Sequence, residues 1–422
     1  MAPPAALRQR DFRSLWLAGL VSDGGDWMLL IALPIVVYGL TGSALGTSGA
    51  FIAELAPGMV LAPLAGRLAD RLDRRRLMLT ITVAQALTLL PLLAVHSRAQ
   101  LPIVYGVIVA QASFAAMFDP AKNALLPTLL APSELVSGNS LIALNQALGR
   151  LAGGPLGGLL LAAGSLRTIV IADAVSFLVA ARLIARLPPR PTEPLSAIAG
   201  PGSRQPGDAR PSFRSVLGDA RVRAGLLVAF VAEIAQGIFV VLFILFVARR
   251  LHGGSSEIGL LRGVQAIGAI GGGLALSMLA RARAPGALIA GAAVAFGAVD
   301  LTIWNGPALT TATAVYAGLF ILAGAPGVVL DTGLVSLFQL AGPDGTRGRR
   351  FGALGLVSNA GQAIGMLAAG TLTAQLGLMA LLNAQGLLYL TSGILAAGLL
   401  AGFGRRRAGP GLLTETVAPP SA

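Results

Sequence analysis

The stretch AGLLVAFVAEIAQGIFVVLFILFVA, residues 224–248, carries one charged side chain, Glu233, and is bracketed by Arg221 and Arg223 before it and Arg249 and Arg250 after it. A hydrocarbon core about 30 Å thick needs about 20 apolar residues of helix, and lipid leaves no partner for unpaired backbone groups. The stretch is therefore predicted to be a membrane-spanning helix.

Working outward, the same test marks twelve spans. The first six run approximately from Ser14 to Gly39, Leu45 to Ala65, Leu77 to His96, Pro102 to Phe118, Gly138 to Ala162 and Thr168 to Arg186. The second six run approximately from Ala224 to Ala248, Glu257 to Ala280, Gly286 to Trp304, Thr313 to Leu337, Gly352 to Gln375 and Met379 to Phe403. Between the sets, 187–220 is rich in proline and arginine, from Pro188 to Pro211, a mixture that does not bury a core; it is expected to be a cytoplasmic linker. The chain thus divides into a six-helix half over 1–186, the linker, a second half over 221–404 and a cytoplasmic tail over 405–422. Arg8, Arg10 and Arg13 lead into a run too long for a signal-peptide core, so the first span is expected to remain as a helix.

Of the 422 residues, 55% are hydrophobic and 12% charged, half the charge a soluble domain carries. The net charge of +13 does not point to nucleic acid, because the basic residues lie between apolar runs rather than on one soluble face. They set orientation instead. The clusters Arg71, Arg74, Arg75, Arg76, then Arg347, Arg349, Arg350, then Arg405, Arg406, Arg407 all fall on one side when both termini are cytoplasmic, as expected for a multi-pass protein of the cell membrane. There is no cysteine, and His96 and His252 fall in separate loops, so no metal site and no cofactor are expected.

An internal repeat appears on sliding the chain by about half its length. Arg13 falls on Arg223, Asp23 on Glu233 and Arg71 on Arg281 at one offset, with Asp119 meeting Asp331 two residues further on. Two six-helix halves in parallel relation are used by alternating-access carriers, with the substrate between them near the midplane. Small residues also recur at four-residue spacing, Gly154 with Gly158, Gly268 with Gly272 and Gly361 with Gly365, which permits close helix contact.

Ionisable groups inside spans are costly unless they face water or a partner. Asp23 and Asp26 lie on one face near the middle of the first span, and two nearby carboxylates favour retention of a proton between them. Glu54, Arg150, Glu233 and Arg262 complete the set expected to form a proton-coupling and substrate cavity. Glu54 or Glu233 pairing with Arg150 or Arg262 is the alternative, and the two arginines are either counter-ions or anion contacts. Asp119 and Asp331 are placed at cytoplasmic helix ends, where they pair with gate arginines.

The loop after the second span, from Gly66 through Asp70 and Arg71 to Arg74, Arg75 and Arg76, resembles the signature loop of the major facilitator superfamily. Ser22 to Trp27, Thr41-Gly42-Ser43, Phe118-Asp119-Pro120-Ala121 with Leu126-Pro127, and Gln339 with Pro343-Asp344 and Gly348-Arg349 resemble its drug and siderophore exporter branch, the transmembrane secretion effectors and macrolide-efflux-like proteins. The fifth-span exporter motif is matched in part, since Arg150 precedes Gly153-Gly154-Pro155. The resemblance implies an all-α fold of twelve transmembrane helices in two pseudo-symmetric halves. It implies that Asp70 holds the halves together in the outward-facing state, with Gly66, Arg71, Arg74, Arg75 and Arg349 in the same cytoplasmic switch.

No nucleophile with a base and no phosphate loop is present, so an enzyme and an ATP-driven pump are set aside. The expected function is a proton-coupled exporter, an antiporter of small amphipathic molecules such as drugs, siderophores or secondary metabolites, working as a monomer in contact with membrane lipid. The alternatives are a major facilitator importer or lipid transporter, and a non-transporting receptor or scaffold.

Overall fold

The computed structural model describes residues 5–188, 218–279, 285–341 and 347–400. Most of the expected linker and all of the expected tail lie outside these described residues. After a short helical turn at Ala5–Arg8, twelve long helices follow, with no strand among the described residues. In the first half these are α1 Arg10–Thr41, α2 Ala44–Arg71, α3 Arg74–Leu89, α4 Leu101–Leu129, α5 Leu135–Ala163 and α6 Leu166–Ile184. In the second they are α7 Ala220–Arg250, α8 Ser255–Leu279, α9 Pro285–Asn305, α10 Thr313–Leu340, α11 Arg347–Leu376 and α12 Leu378–Leu400. Ten are long and apolar enough to cross a membrane. The other two, α5 and α6, are diluted by polar residues: Asn139, Asn145, Gln146 and Arg150 in α5, and Arg167, Asp173 and Arg182 in α6.

Local chemistry sets the ends. Thr41-Gly42-Ser43 both stops α1 and starts α2: Gly42 takes a left-handed φ of 63° with its N–H donating to the Tyr38 carbonyl at 2.7 Å, and Ser43 Oγ accepts from the Leu45 and Gly46 amides. Asp73 caps α3 by accepting from the Arg76 amide at 2.6 Å. Gly66 is therefore not in a turn. α2 runs on to Arg71 and the turn is confined to Leu72 and Asp73, because the Asp73 cap is what starts the next helix. The side chains of Gly66, Asp70 and Arg71 lie outside the described residues. Helices also extend past the expected spans: α4 continues through Pro120 and Pro127 to Leu129, so Asp119 lies inside a helix rather than at its end. Asp331 likewise lies inside α10. Proline is tolerated inside membrane helices where neighbouring helices, hydroxyl side chains or local adjustment re-satisfy the freed backbone groups.

The pattern of helix partners repeats with a shift of six. α1 packs on α5 and α6, α2 on α4, and α3 on α4 and α6, while α7 packs on α11 and α12, α8 on α10, and α9 on α10 and α12. The halves meet through α5 against α8 and α2 against α11, again a symmetric pair. The run from Ile238 to Val247 in α7 is buried at every position, packed against Trp304, Tyr316 and Phe320. Phe246 and Trp304 meet edge to face with centroids 4.8 Å apart. A helix apolar all round is one enclosed by protein or lipid.

Contacts between halves gather at the end of the bundle where α1 and α7 finish. Ser48 Oγ of α2 donates to the Met366 carbonyl of α11 at 2.6 Å. Arg249 of α7 donates through Nε to Tyr38 Oη at 2.8 Å and through Nη2 to the Gly42 carbonyl at 2.9 Å. Gly154 and Gly158 of α5 lie against Gly259 and Gly263 of α8; a Cβ on Gly158 would stand 2.9 Å from Gly259 Cα and closer still to the Ser255 carbonyl. This end is sealed by backbone contact. The other two glycine pairs serve packing within the second half, Gly268 and Gly272 against α10, and Gly361 and Gly365 against α7.

Candidate functional site

α5 explains how the acids of α1 are held. Its glycines form two ridges: Gly149, Gly153 and Gly157 lie on the α1 backbone at Asp23, Gly24 and Met28, whereas Gly154 and Gly158 face α8. The doublets Gly153-Gly154 and Gly157-Gly158 thus let one helix touch both halves. From the other side α6 presses on α1, where Gly25 sits so close to Asp173 and Ser176 that a Cβ would stand 2.6 Å from Ser176 Oγ. Asp26 is the next residue. It is accessible although it lies mid-helix, because it faces open space inside the bundle rather than packed protein.

Four cavities share lining residues in sequence. One of about 130 Å³ holds Asp23, Asp26, Asp119, Lys122 and Gln146. The next, about 210 Å³, shares Asp26 and Gln85 and adds Glu54 and Gln111. A third, about 270 Å³, shares Glu54 and reaches Arg262 and Gln362 across the interface of the halves. The fourth, about 340 Å³, shares Arg262 and Gln362 and adds Arg150, Glu233, Gln236, Asp331 and Tyr389. All six residues expected from the sequence to line the central cavity fall on this arc, joined by Asp119 and Asp331.

One ion pair is formed among the described charged groups of the arc. Lys122 Nζ bonds Asp119 at 2.6 Å. Among the described residues none of Asp23, Asp26, Glu54, Glu233 and Asp331 forms an ion pair, and neither Glu54 nor Glu233 pairs with Arg150 or Arg262. Arg150 Cζ lies 5.5 Å above the Trp27 ring; Arg262 Cζ lies 5.0 Å above Phe239, and its Nη1 donates to Gln265 Oε1 at 3.1 Å. Of the remaining switch residues, Arg74 is buried with Nη1 donating to the Ala124 carbonyl of α4 at 3.1 Å, and Arg75 Nη2 donates to the Ala185 carbonyl after α6 at 2.6 Å. The Ala185 carbonyl is at the C-terminal end of α6, where a guanidinium is favoured. Arg349 is half-buried in the first turn of α11, beside the buried Arg350, whose Nη1 donates to the Phe338 carbonyl of α10 at 2.9 Å.

Two acids escaped the sequence reading although each shows the same signal as Asp23, a carboxyl inside an apolar run. Asp173 is fully buried beside Gly25, with Oδ1 accepting from Ser176 Oγ at 3.1 Å. Asp300 of α9 is buried under α12, where Gln385 Nε2 donates to Oδ2 at 2.7 Å and Gln385 Oε1 accepts from Trp304 Nε1 at 2.9 Å. This second network reads as a structural tie. Asp300→Leu leaves the Gln385 amide unsatisfied and is expected to cost about 1–3 kcal/mol, whereas Asp300→Asn retains an acceptor and stays near neutral. Thermal unfolding of the purified variants checks this; equal melting of both contradicts it.

A family model described as transmembrane secretion effector matches residues 1–401. Among curated relatives, the chain is 30% identical over 189 residues to an uncharacterized MFS-type transporter, YfiS, of Bacillus subtilis, covering 44% of this chain and 45% of that protein. It is 30% identical over 142 residues to the putative bacilysin exporter BacE of the same organism, covering 33% of this chain and 35% of that protein. It is 26% identical over 415 residues to the multidrug efflux pump Tap of Mycolicibacterium fortuitum, covering 90% of this chain and 94% of that protein. The chain therefore spans less than half the length of the first two and nearly all of the third. Among solved structures, a bacterial homologue of the iron transporter ferroportin matches in its inward-facing state with TM-score 0.69 and 17% identity, covering 92% of this chain and 98% of that one. The outward-facing state of such a homologue gives 0.58 with 18% identity over 94% and 99%. These neighbours are membrane transporters, not enzymes, and the helix count, the repeated packing and the full-length family match agree: the chain belongs to the transmembrane secretion effector family of the major facilitator superfamily.

Proposed function

We propose that the protein is a proton-coupled exporter of small amphipathic molecules, working by alternating access in the cell membrane with both termini cytoplasmic. One observation carries the reading: Asp26 is an accessible carboxyl in the middle of a membrane helix, facing a cavity and free of any ion pair among the described residues. A carboxyl is kept in such a place because its charge is switched during the cycle. With the arginine clusters inside, the sealed end of the bundle is extracellular and the cavity opens to the cytoplasm. The higher similarity to the inward-facing neighbour supports this state. The cycle then runs as follows: substrate enters from the cytoplasm while the acids are deprotonated, the halves rock, and a proton taken up outside by the Asp23 and Asp26 pair favours release.

The efflux relatives support export, and Asp70 stands as the cytoplasmic switch of the same reading, with Arg74 and Arg75 anchoring their own half. Direction is tested in inside-out vesicles, where the lumen corresponds to the outside. An acidic lumen is expected to drive accumulation of a radiolabelled substrate found by screening a compound panel. Accumulation driven by an alkaline lumen alone would mean uptake coupled to inward proton flow.

A further inference from the structure

The largest of the four cavities, about 340 Å³, is of the size small-molecule sites have, and it is lined by two arginines and two acids. Arg150 comes from the first half and Arg262 from the second. Arg150 stands one helical turn before Gly154 on the α5 face that meets α8, and Arg262 directly precedes Gly263, which lies 3.6 Å by its Cα from a Cβ built on Gly154. The two guanidinium groups therefore flank the point where the halves touch, and each is the other's like-charge neighbour. Neither has a carboxylate within ion-pair distance among the described residues. Their ring contacts, to Trp27 and Phe239, leave the edge donors of both forks available to the cavity, apart from the Arg262 bond to Gln265.

On the same cavity lie Glu233 and Asp331, which bear on one another electrostatically, and neither forms an ion pair. Asp331 also feels Arg150, yet outside ion-pair distance. The rest of the lining mixes Gln236, Gln265 and Gln362 with apolar side chains, including Phe239, Leu330 and Phe296, whose ring stacks on Tyr389 at 4.4 Å. Two like charges held near one another repel, and that repulsion is relieved by a shared counter-charge. Among the described residues no ion pair supplies one to the arginines or to the two acids. We propose that this cavity takes a zwitterionic amphiphile, its anionic group bridging Arg150 and Arg262 and its cationic group against Glu233 and Asp331, with an apolar body on the aromatic wall. The inference deepens the transporter reading by naming the substrate class of its central cavity. Because the arginines belong to opposite halves, the anionic group ties the halves together as it binds.

Four compounds with one phenyl body test it on the purified full-length protein by titration calorimetry: homophenylalanine as zwitterion, its amide as cation, 4-phenylbutyrate as anion and 4-phenylbutanamide as neutral. The zwitterion is expected to bind about tenfold tighter than either singly charged compound, as charge-assisted hydrogen bonds allow. In Arg150→Gln or Arg262→Gln it should fall to the affinity of the cation, and in Asp331→Asn to that of the anion; Arg150→Lys should retain part of the preference. Failure of the zwitterion to bind, equal binding of the neutral compound, or equal loss of all four in the variants would overturn the assignment. Binding needs no gradient, so a protein that shows this preference but no proton-driven export would refute the export reading and leave the substrate class standing.

Discussion

Asp26→Asn is expected to reduce proton-driven accumulation of substrate to equilibrium while leaving downhill exchange in place. Asparagine matches the shape of aspartate and retains an acceptor and a donor, so the packing around Gly25 and the glycine ridge of α5 is preserved. What is lost is the exchange of charge. The charged groups that bear on Asp26 are Asp173 of α6, Asp23 of its own helix, and Asp119 and Lys122 of α4, so its carboxyl sits in a field dominated by other acids. Competition between a proton and a substrate for that field is the proposed coupling step. With one proton per neutral substrate, a gradient of two pH units sustains a concentration ratio of about 100, and the variant should hold a ratio near one. Radiolabelled flux with and without an imposed pH gradient measures both quantities; undiminished accumulation in Asp26→Asn contradicts the role given to α1.

Gly158→Leu carries the second large effect. At this position α5 and α8 touch through backbone, a Cβ would stand 2.9 Å from Gly259 Cα, and there is no flexible side chain to yield. Overpacking that a rotamer change cannot relieve costs several kcal/mol or forces the helices apart. The state sealed at this end should be lost and turnover should fall by tenfold or more. The chain has no cysteine, so Ser48→Cys reports without background. Ser48 is buried against Met366 of the opposite half, and its replacement should react slowly with a membrane-impermeant maleimide in the parent and rapidly when Gly158→Leu is added. Unchanged labelling would mean that the glycine contact is not the seal. A thermal melt near that of the parent separates this outcome from misfolding.

Apolar length and arginine placement made the twelve helices legible in the sequence, since both are properties of single stretches. The parallel repeat was legible too, through Asp23 against Glu233 and Asp119 against Asp331, and the helix partners reproduce it with a shift of six. The ends of the helices were less so. The fourth span is expected to end near Phe118, where the apolar run closes, but α4 runs on through Pro120 and Pro127 to Leu129. Gly66 suggested a turn that Asp73, the residue with a capping side chain, in fact decides. For the site, residue type and depth were enough to collect Asp26, Glu54, Arg150, Glu233 and Arg262. Their division into one arc of cavities was not, because it depends on which helix faces which. The two faces of α5 show why: Gly153 and Gly154 are neighbours in sequence, yet one rests on α1 and the other on α8 of the other half. Asp173 carries the same sequence signal as Asp26, but the notch at Gly25, a tertiary feature, is what brings the two acids to one place.

Proton counting tests the account most directly. Purified protein in weakly buffered solution, mixed with substrate, should acidify the medium by about one proton per molecule bound, and Asp23→Asn with Asp26→Asn should bind without that release. Binding that moves no protons in the parent, or the same release from the doubly substituted protein, would contradict the coupling of substrate to the acids of α1.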